Sequence, residues 1–201
     1  MGQADAMEVC QLADADATHA LGRRLAERLL ARWLGGKRGA ATDGGSGRVP
    51  EVLKEATGPA AGARERRSEA APPLLATPPL LLLQGDLGAG KTCLVQGLAE
   101  GLAIPEPVTS PSFALAQHYA GTAADGRATR LVHLDLYRLE QPAAADELFS
   151  QEEEEARIAA VSTRVVMAVE WPERLSFQPE GAWLLRLEHR GDGRRASWRA
   201  T

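Results

Sequence analysis

An eight-residue segment, residues 85–92, constrains this chain more than any other feature. Its sequence, GDLGAGKT, follows the pattern Gly-x-x-x-x-Gly-Lys-[Ser/Thr], which binds phosphate where a strand precedes it and a helix follows it. Residues 80–83 are four consecutive leucines, as in a strand that is buried on both faces. Residues 92–102 carry apolar side chains at helical spacing, and Pro105 ends this pattern. The sequence therefore predicts a strand, a glycine loop and a helix.

The residue types of this loop suit the binding of ATP. Glycines let the backbone turn so that its N–H groups surround an anion, and the positive end of the helix dipole points at the same place. Lys91 is expected to neutralise the β- and γ-phosphates, and the Thr92 hydroxyl is expected to ligate Mg²⁺. The predicted nucleotide contacts here are Asp86, Leu87, Gly88, Ala89, Gly90, Lys91, Thr92 and Cys93. The alternative is a glycine-rich turn without a ligand.

Cys93 and Cys10 are too few for a disulfide framework and are not spaced as a metal site. Cys93 is expected in the first turn of the helix, where the simplest interpretation is a small packing residue. The alternative is a redox-sensitive thiol, because a helix dipole at this position lowers the pKa of a cysteine.

Two predicted apolar strands end in a carboxylate, at Asp135 and at Glu170. Ligands of α/β proteins bind at the carboxyl ends of strands, so both acids are candidates for the same site. We predict that Glu170 coordinates Mg²⁺ together with Thr92, and that Asp135 positions water or contacts a metal ligand. The alternative is that either acid merely ends its strand in solvent. The sequence leaves open which of the two acids activates water. The predicted catalytic residues are Lys91, Asp135 and Glu170.

Composition and length indicate one globular domain over residues 1–201. The expected fold is a single α/β phosphate-loop NTPase domain with a mainly parallel sheet flanked by helices. Further strands are predicted at residues 8–12, 113–119, 130–135, 165–170 and 183–188, and helices from residue 20 and across residues 143–160. Asp14, Asp16 and Thr18 are candidate N-caps of the first helix.

Residues 35–77 differ from the rest in being rich in glycine, alanine, proline and charge. They predict a disordered inserted loop, in which residues 49–54 could form a transient helical turn.

The glutamate run at residues 152–155 predicts a solvated helix face. A net charge of −4 argues against direct binding of nucleic acid through bulk electrostatics. The absence of a long apolar run and of a basic, apolar leader predicts a cytoplasmic protein without a membrane span.

Four segments, in this order, resemble the TsaE (YjeE) family of ATPases of bacterial tRNA threonylcarbamoyladenosine biosynthesis. They are residues 85–92, 108–113 (VTSPSF), 133–139 (HLDLYRL) and 170–173 (EWPE). The first is shared by many families, whereas the His-x-Asp-x-Tyr-Arg and Glu-Trp elements in this order are distinctive. Residues 17–26 extend the resemblance, which spans most of the chain except the insert and the last residues.

The resemblance implies ATP hydrolysis in a complex with TsaB and TsaD, which install threonylcarbamoyl on the adenosine beside the anticodon of tRNAs reading codons that begin with A. The chain would then meet tRNA only indirectly, through the complex with TsaB and TsaD. Residues 110–113 would behave as a nucleotide-sensing switch. By position, Thr18 and Arg194 would contact the nucleotide, and Trp171 would pack beside the site or meet a partner.

The sequence departs from the family pattern at three places. Ser112 stands where threonine is usual, Ala103 where glycine is usual, and the insert precedes the first leucine strand. Ser112 keeps a hydroxyl, so only fine geometry is affected there. Of the residues around Asp135, Arg138 is a candidate to bind a phosphate or an acidic neighbour.

Two other functions use the same loop. A small-molecule kinase would also need an acceptor pocket and an arginine-bearing lid, and the arginines of the insert precede the loop, where such lids generally do not lie. A nucleotide-gated binding module would use ATP occupancy, without essential turnover, to set its affinity for a partner.

Overall fold

The computed structural model of the chain describes residues 7–39 and 77–200. Strands and helices are mixed along the second stretch, as the sequence predicts. The elements are β1 (Glu8–Leu12), α1 (Ala15–Gly39), β2 (Leu80–Gln84), α2 (Lys91–Gly101), β3 (Ala116–Thr122), β4 (Ala128–Asp135), α3 (Pro142–Ala159), β5 (Arg164–Glu170), a 3₁₀ turn (Pro172–Arg174), β6 (Trp183–Arg190) and β7 (Gly193–Ala200).

The strands within the described residues form one sheet in the order β1-β7-β6-β2-β5-β4-β3. The four central strands, β6, β2, β5 and β4, are parallel, whereas β7, β1 and β3 pair antiparallel with their neighbours. The predicted α/β fold with a mainly parallel sheet flanked by helices is confirmed. Strand β7 is an addition that the sequence did not predict, and β3 begins three residues later than predicted.

Each face of the sheet has its own core. The leucines of β2 are all buried because alternate side chains face opposite sides: Leu81 and Leu83 pack with α1 and α2, and Leu80 and Leu82 pack with α3. The carboxyl ends of the parallel strands meet at one edge, and α2 begins beside that edge. This arrangement brings the glycine loop next to the ends of β4 and β5.

Helix α1 begins at a side-chain cap and crosses α2 at very short range. Asp14 Oδ1 accepts a hydrogen bond of 2.7 Å from the Ala17 N–H, so Asp14 acts as the predicted N-cap. A Cβ atom at Gly22 would lie 2.0 Å from the Leu94 carbonyl oxygen, and one at Gly97 would lie 1.9 Å from the His19 carbonyl oxygen. The two helices therefore approach backbone to backbone.

The end of α2 explains why glycine is the expected residue at position 103. The Ile104 N–H donates to the Ala99 carbonyl and the Ala103 N–H donates to the Glu100 carbonyl, which is the Schellman pattern of helix termination. This pattern places its fifth residue in the left-handed region, and Ala103 has φ of 55°. Alanine adopts this conformation less readily than glycine because of its Cβ atom.

The glutamate run on α3 is not uniformly solvated, so that prediction is wrong for one residue. Glu152 is buried, and its Oε2 lies 2.6 Å from His118 Nε2 on β3. The other buried residues of α3 are Ala145, Phe149 and Ala156, and their spacing places Glu152 on the same face. This spacing was the sequence signal for its burial. Glu155 lies near this pair, and ligand atoms of all three side chains fall within 4.8 Å of one another.

Most of the predicted insert lies outside the described residues, and so does the helical turn at residues 49–54. Residues 35–39 are the exception at its beginning, because α1 continues through Gly39. Among the helices in the described ranges, none combines the length and the apolar character that crossing a membrane requires.

Candidate functional site

The glycine loop connects β2 to α2, as its pattern requires. Gly85, Gly88 and Gly90 all have positive φ, at 145°, 78° and 102°. At Gly85 there is no room for a side chain either, because a Cβ atom would lie 2.5 Å from the Leu187 carbonyl oxygen. Helix α2 starts at Lys91, and the Leu94 N–H donates to the Gly90 carbonyl at 3.0 Å. The predicted sequence of strand, glycine loop and helix is therefore present.

Lys91 is buried and is held against the loop. Its Nζ donates to the carbonyl oxygens of Gly85 at 2.7 Å and Asp86 at 3.0 Å, and it lies 4.0 Å from the centre of the Trp171 ring. Burial lowers the pKa of Lys91, and the nearby carboxylates, Glu170 foremost, oppose this shift. An ammonium has three N–H donors, so the two carbonyl bonds leave one for an anion.

Glu170 joins β5 to the start of α2. Its Oε1 accepts a hydrogen bond of 2.8 Å from the Thr92 hydroxyl, and the same oxygen lies 3.0 Å from Nε2 of His133. The carboxylate is almost fully buried. Placing Glu170 beside Thr92 agrees with the pairing that the sequence predicts for a metal site. The bond to His133 is new, since the sequence assigned that histidine no role.

Asp135 lies opposite Glu170 in the pairing of β4 with β5. Its Oδ2 accepts hydrogen bonds from the hydroxyls of Ser110 at 2.8 Å and Ser112 at 2.5 Å, and its Oδ1 accepts one from the Tyr137 N–H at 3.1 Å. Asp135 is thus an anchor for residues 110–112. Sequence reasoning grouped this segment with the site but did not predict its bonds to the carboxylate.

Arg194 contacts the glycine loop, and Thr18 lies beside it. Arg194 Nε donates to the Ala89 carbonyl at 2.8 Å, and a Cβ atom on Gly90 would lie 3.0 Å from that Nε and 3.5 Å from Cγ2 of Thr18. Thr18 is fully buried, and its hydroxyl donates to the Asp14 carbonyl at 2.9 Å. The structure therefore places both residues beside the loop, and their contact with a nucleotide stays a prediction.

Cys93 does not have the environment of an activated thiol. Its Sγ lies 3.3 Å from the Ala15 carbonyl oxygen, and burial raises the pKa of the thiol. The alternative of a redox-sensitive cysteine required the opposite shift and is wrong. Cys93 instead packs between α2 and the start of α1.

Arg138 packs on an aromatic ring: its guanidinium lies 4.2 Å from the centre of the Phe113 ring. No carboxylate of the described residues pairs with it, and its contact with a phosphate stays a prediction. Trp171, by contrast, packs beside the site as the resemblance implies: its ring covers Lys91 and lies 4.8 Å from the Tyr137 ring.

The donor atoms of the site suit a hard divalent cation. Thr92 supplies a hydroxyl and Glu170 and Asp135 supply carboxylates, which are the oxygen ligands that Mg²⁺ prefers. Both carboxylates are nearly fully buried on adjacent strands, with Lys91 as the neighbouring cation. Two buried negative charges this close are costly unless cations compensate them, so the residues fit the predicted metal.

Fold and site together define a mixed α/β protein with a phosphate-loop sequence at the carboxyl edge of its sheet. Residues 55–197 match the family model described as "Threonylcarbamoyl adenosine biosynthesis protein TsaE". Because this match covers more than half of the chain, the chain belongs to the TsaE family.

Named relatives agree with this assignment. The chain is 45% identical to the tRNA threonylcarbamoyladenosine biosynthesis protein TsaE of Nostoc sp. over 100 residues, which are 50% of this chain and 56% of that protein. It is 40% identical to the Treponema pallidum TsaE over 117 residues, or 58% of this chain and 77% of that one. The match thus spans little more than half the length of the Nostoc protein.

The fold also resembles the crystal structure of Bacillus subtilis YdiB. The TM-score is 0.50 and the identity is 20%, with 99% of this chain and 88% of that one covered. At this identity the likeness supports the fold alone.

Proposed function

We propose that this chain is the Mg²⁺-dependent ATPase component of the machinery that forms threonylcarbamoyl-adenosine next to the anticodon of tRNAs reading codons that begin with A. In this proposal it acts in the cytoplasm with TsaB and TsaD and meets tRNA through their complex. The observation that carries the ATPase is the buried carboxylate of Glu170, bonded to the Thr92 hydroxyl of the phosphate loop. This pairing is the arrangement that phosphate-loop ATPases use for a metal-bound nucleotide.

The residues of the site take separate roles in the proposed reaction. The loop backbone and Lys91 bind the β- and γ-phosphates, and Lys91 offsets the charge that develops during transfer to water. Thr92 and Glu170 would hold Mg²⁺, which would supply further charge neutralisation on the phosphate oxygens. Glu170 Oε1 already accepts bonds from Thr92 and His133, so Oε2, which accepts no hydrogen bond from the described residues, would be the metal ligand. Asp135, which holds residues 110–112, would position water.

Asp135 then connects the site to a surface. It holds Ser110 and Ser112, and the adjacent Phe113 is 87% exposed. A change at the phosphates that moves Asp135 would also move this segment, which supports its proposed role as a nucleotide-sensing switch. A partner such as TsaD would detect the nucleotide through this segment.

ATP hydrolysis by the purified chain, alone and with TsaB, TsaD and tRNA, tests the proposal. Wild type is compared with Lys91→Ala, Glu170→Gln and the matched control Glu152→Gln, which makes the same chemical change at the other buried glutamate paired with histidine. We expect turnover to rise with the partners, to fall about 100-fold or more in the first two variants, and to be unchanged in the control.

Other outcomes separate the alternatives. Transfer of phosphate to a nucleoside or sugar would indicate a kinase. Glu170→Gln protein that binds ATP and supports tRNA modification without turnover would indicate a nucleotide-gated module. Wild type that neither binds nor hydrolyses ATP in any mixture would refute the proposal.

A further inference from the structure

His133 is a buried histidine whose bonding is unequal at its two ring nitrogens. It lies on β4, two residues before Asp135, and its side chain is 0% exposed. Nε2 lies 3.0 Å from Oε1 of Glu170. Nδ1 is buried and has no hydrogen-bond partner among the described residues. The ring therefore has one strong contact, and that contact is in the candidate site.

The hydrogen between His133 and Glu170 can be assigned from the chemistry of the groups. A carboxylate only accepts hydrogen bonds, so the hydrogen lies on Nε2. Thr92 donates to the same oxygen, Oε1. Two donors, one from β4 and one from α2, therefore occupy one carboxylate oxygen, and Oε2 is left for another ligand. Rotation of the carboxylate would break both bonds.

Packing alone does not account for a histidine at this position. A buried polar atom without a partner costs stability, and an apolar side chain of similar volume would avoid that cost at Nδ1. Leu131, the preceding residue on the same face of β4, is fully buried, so this face accepts an aliphatic side chain next to His133. The bond from Nε2 to Glu170 is the feature that leucine would not reproduce.

We propose that His133 is a positioning residue for Glu170: it fixes the carboxylate so that Oε1 stays bonded to Thr92 and Oε2 stays available. This inference rests on the proposed ATPase activity. Because His133 acts through Glu170 and not on the phosphates, its loss lowers kcat while nucleotide affinity is kept. Loss of a residue that orients a metal ligand costs about 10- to 100-fold.

Two variants separate positioning from packing. His133→Leu removes the donor and the unpartnered Nδ1, whereas His133→Gln keeps an N–H donor at a similar reach. We expect His133→Leu to lower kcat about 10- to 100-fold with nucleotide Kd changed less than about threefold and a melting temperature no lower than that of wild type. His133→Gln should recover most of the loss. In a Glu170→Gln background, His133→Leu should cause no further loss.

A measurement without turnover keeps this inference separate from the proposed function. Imidazole ¹⁵N spectra of the free protein, assigned with His133→Leu, should show the Nε2–H tautomer at His133, and its signals should shift in Glu170→Gln. The Nδ1–H tautomer, equal kcat losses in the leucine and glutamine variants, or an undiminished loss in the Glu170→Gln background would overturn the role of His133. Absence of turnover in wild type would instead count against the ATPase, and the spectra would still decide the hydrogen bond.

Discussion

The two faces of the sheet differ in the number of polar side chains that they bury. On the face covered by α1 and α2, the buried polar or charged residues are Thr18, Lys91, Thr129, His133, Asp135 and Glu170. On the face covered by α3, the corresponding residue among those described is Glu152. The first face meets the glycine loop at the carboxyl ends of the strands, where a ligand can compensate buried charge. The second is a conventional apolar core.

Each face nevertheless contains a pair in which a histidine on a strand contacts a glutamate. The side chains of His133 and Glu170 are 0% and 4% exposed, whereas those of His118 and Glu152 are 36% and 11% exposed. Glu170 is also bonded to the loop through Thr92, while Glu152 has no such link. The same two side chains therefore serve a site in one place and tie an edge strand to a helix in the other. Chemistry alone does not identify a functional pair.

The largest expected effect is a loss of stability without a loss of activity, caused by a substitution in the core on the α3 face. Phe149 on α3 is fully buried and packs edge-on against Phe177, so Phe149→Ala should lower the free energy of unfolding by about 3–5 kcal/mol. Turnover per folded molecule should stay the same, because Phe149 belongs to the core on the face of the sheet opposite to α1 and α2. Denaturant unfolding and activity below the transition check this. A selective loss of turnover in folded Phe149→Ala protein would show that the faces are coupled.

A smaller effect concerns the charge of Lys91. Burial lowers its pKa in the folded chain, so between the folded and unfolded pKa values the unfolded chain binds more protons. The free energy of unfolding of wild type should therefore rise relative to that of Lys91→Met as the pH rises through the pKa of folded Lys91. The rise should end near the pKa of lysine in the unfolded chain, about 10.4. We expect the difference in free energy of unfolding between the two proteins to change in favour of wild type over this range. Urea unfolding of both proteins from pH 7 to 10.5 measures it, and a constant difference would contradict it.

The smallest expected effect is at the pair of His118 and Glu152, in which the histidine is partly exposed. Glu152→Gln removes the charge that faces His118, and partly exposed ion pairs contribute about 0–1 kcal/mol. Stability should fall by no more than that, and turnover should not change. The ATPase assay compares the turnover of Glu152→Gln with that of Glu170→Gln. A comparable loss of turnover in both variants would mean that the two pairs are not distinct in function.

Local patterns explain what the sequence could predict. The leucines of β2, the glycine loop and the apolar spacing of α2 are contiguous signals, and Asp135 and Glu170 each end an apolar strand. These patterns locate the loop and both carboxylates without knowledge of the pairing of strands. They were sufficient for the fold class and for the residues that meet at the carboxyl edge.

Long-range contacts explain what the sequence could not. The bond of His133 to Glu170 joins residues 37 positions apart, and that of His118 to Glu152 joins residues 34 positions apart. Strand β7 was missed although residues 195–199 alternate polar and apolar side chains, because alanine has little preference for strands and only Trp198 gives a strong signal. Its position depends on pairing with β6 and β1.

The crossing of α1 and α2 has a consequence for the substitutions that this chain can accept. Side-chain contacts adjust in small steps when one residue is exchanged, but here the Cβ that alanine would add at Gly22 or Gly97 would lie about 2 Å from a backbone oxygen. Even the smallest substitution would require a helix to move as a whole, and that movement would shift Thr18 away from Gly90. The distance between these two helices is thus fixed, and substitutions elsewhere in the protein must leave it unchanged.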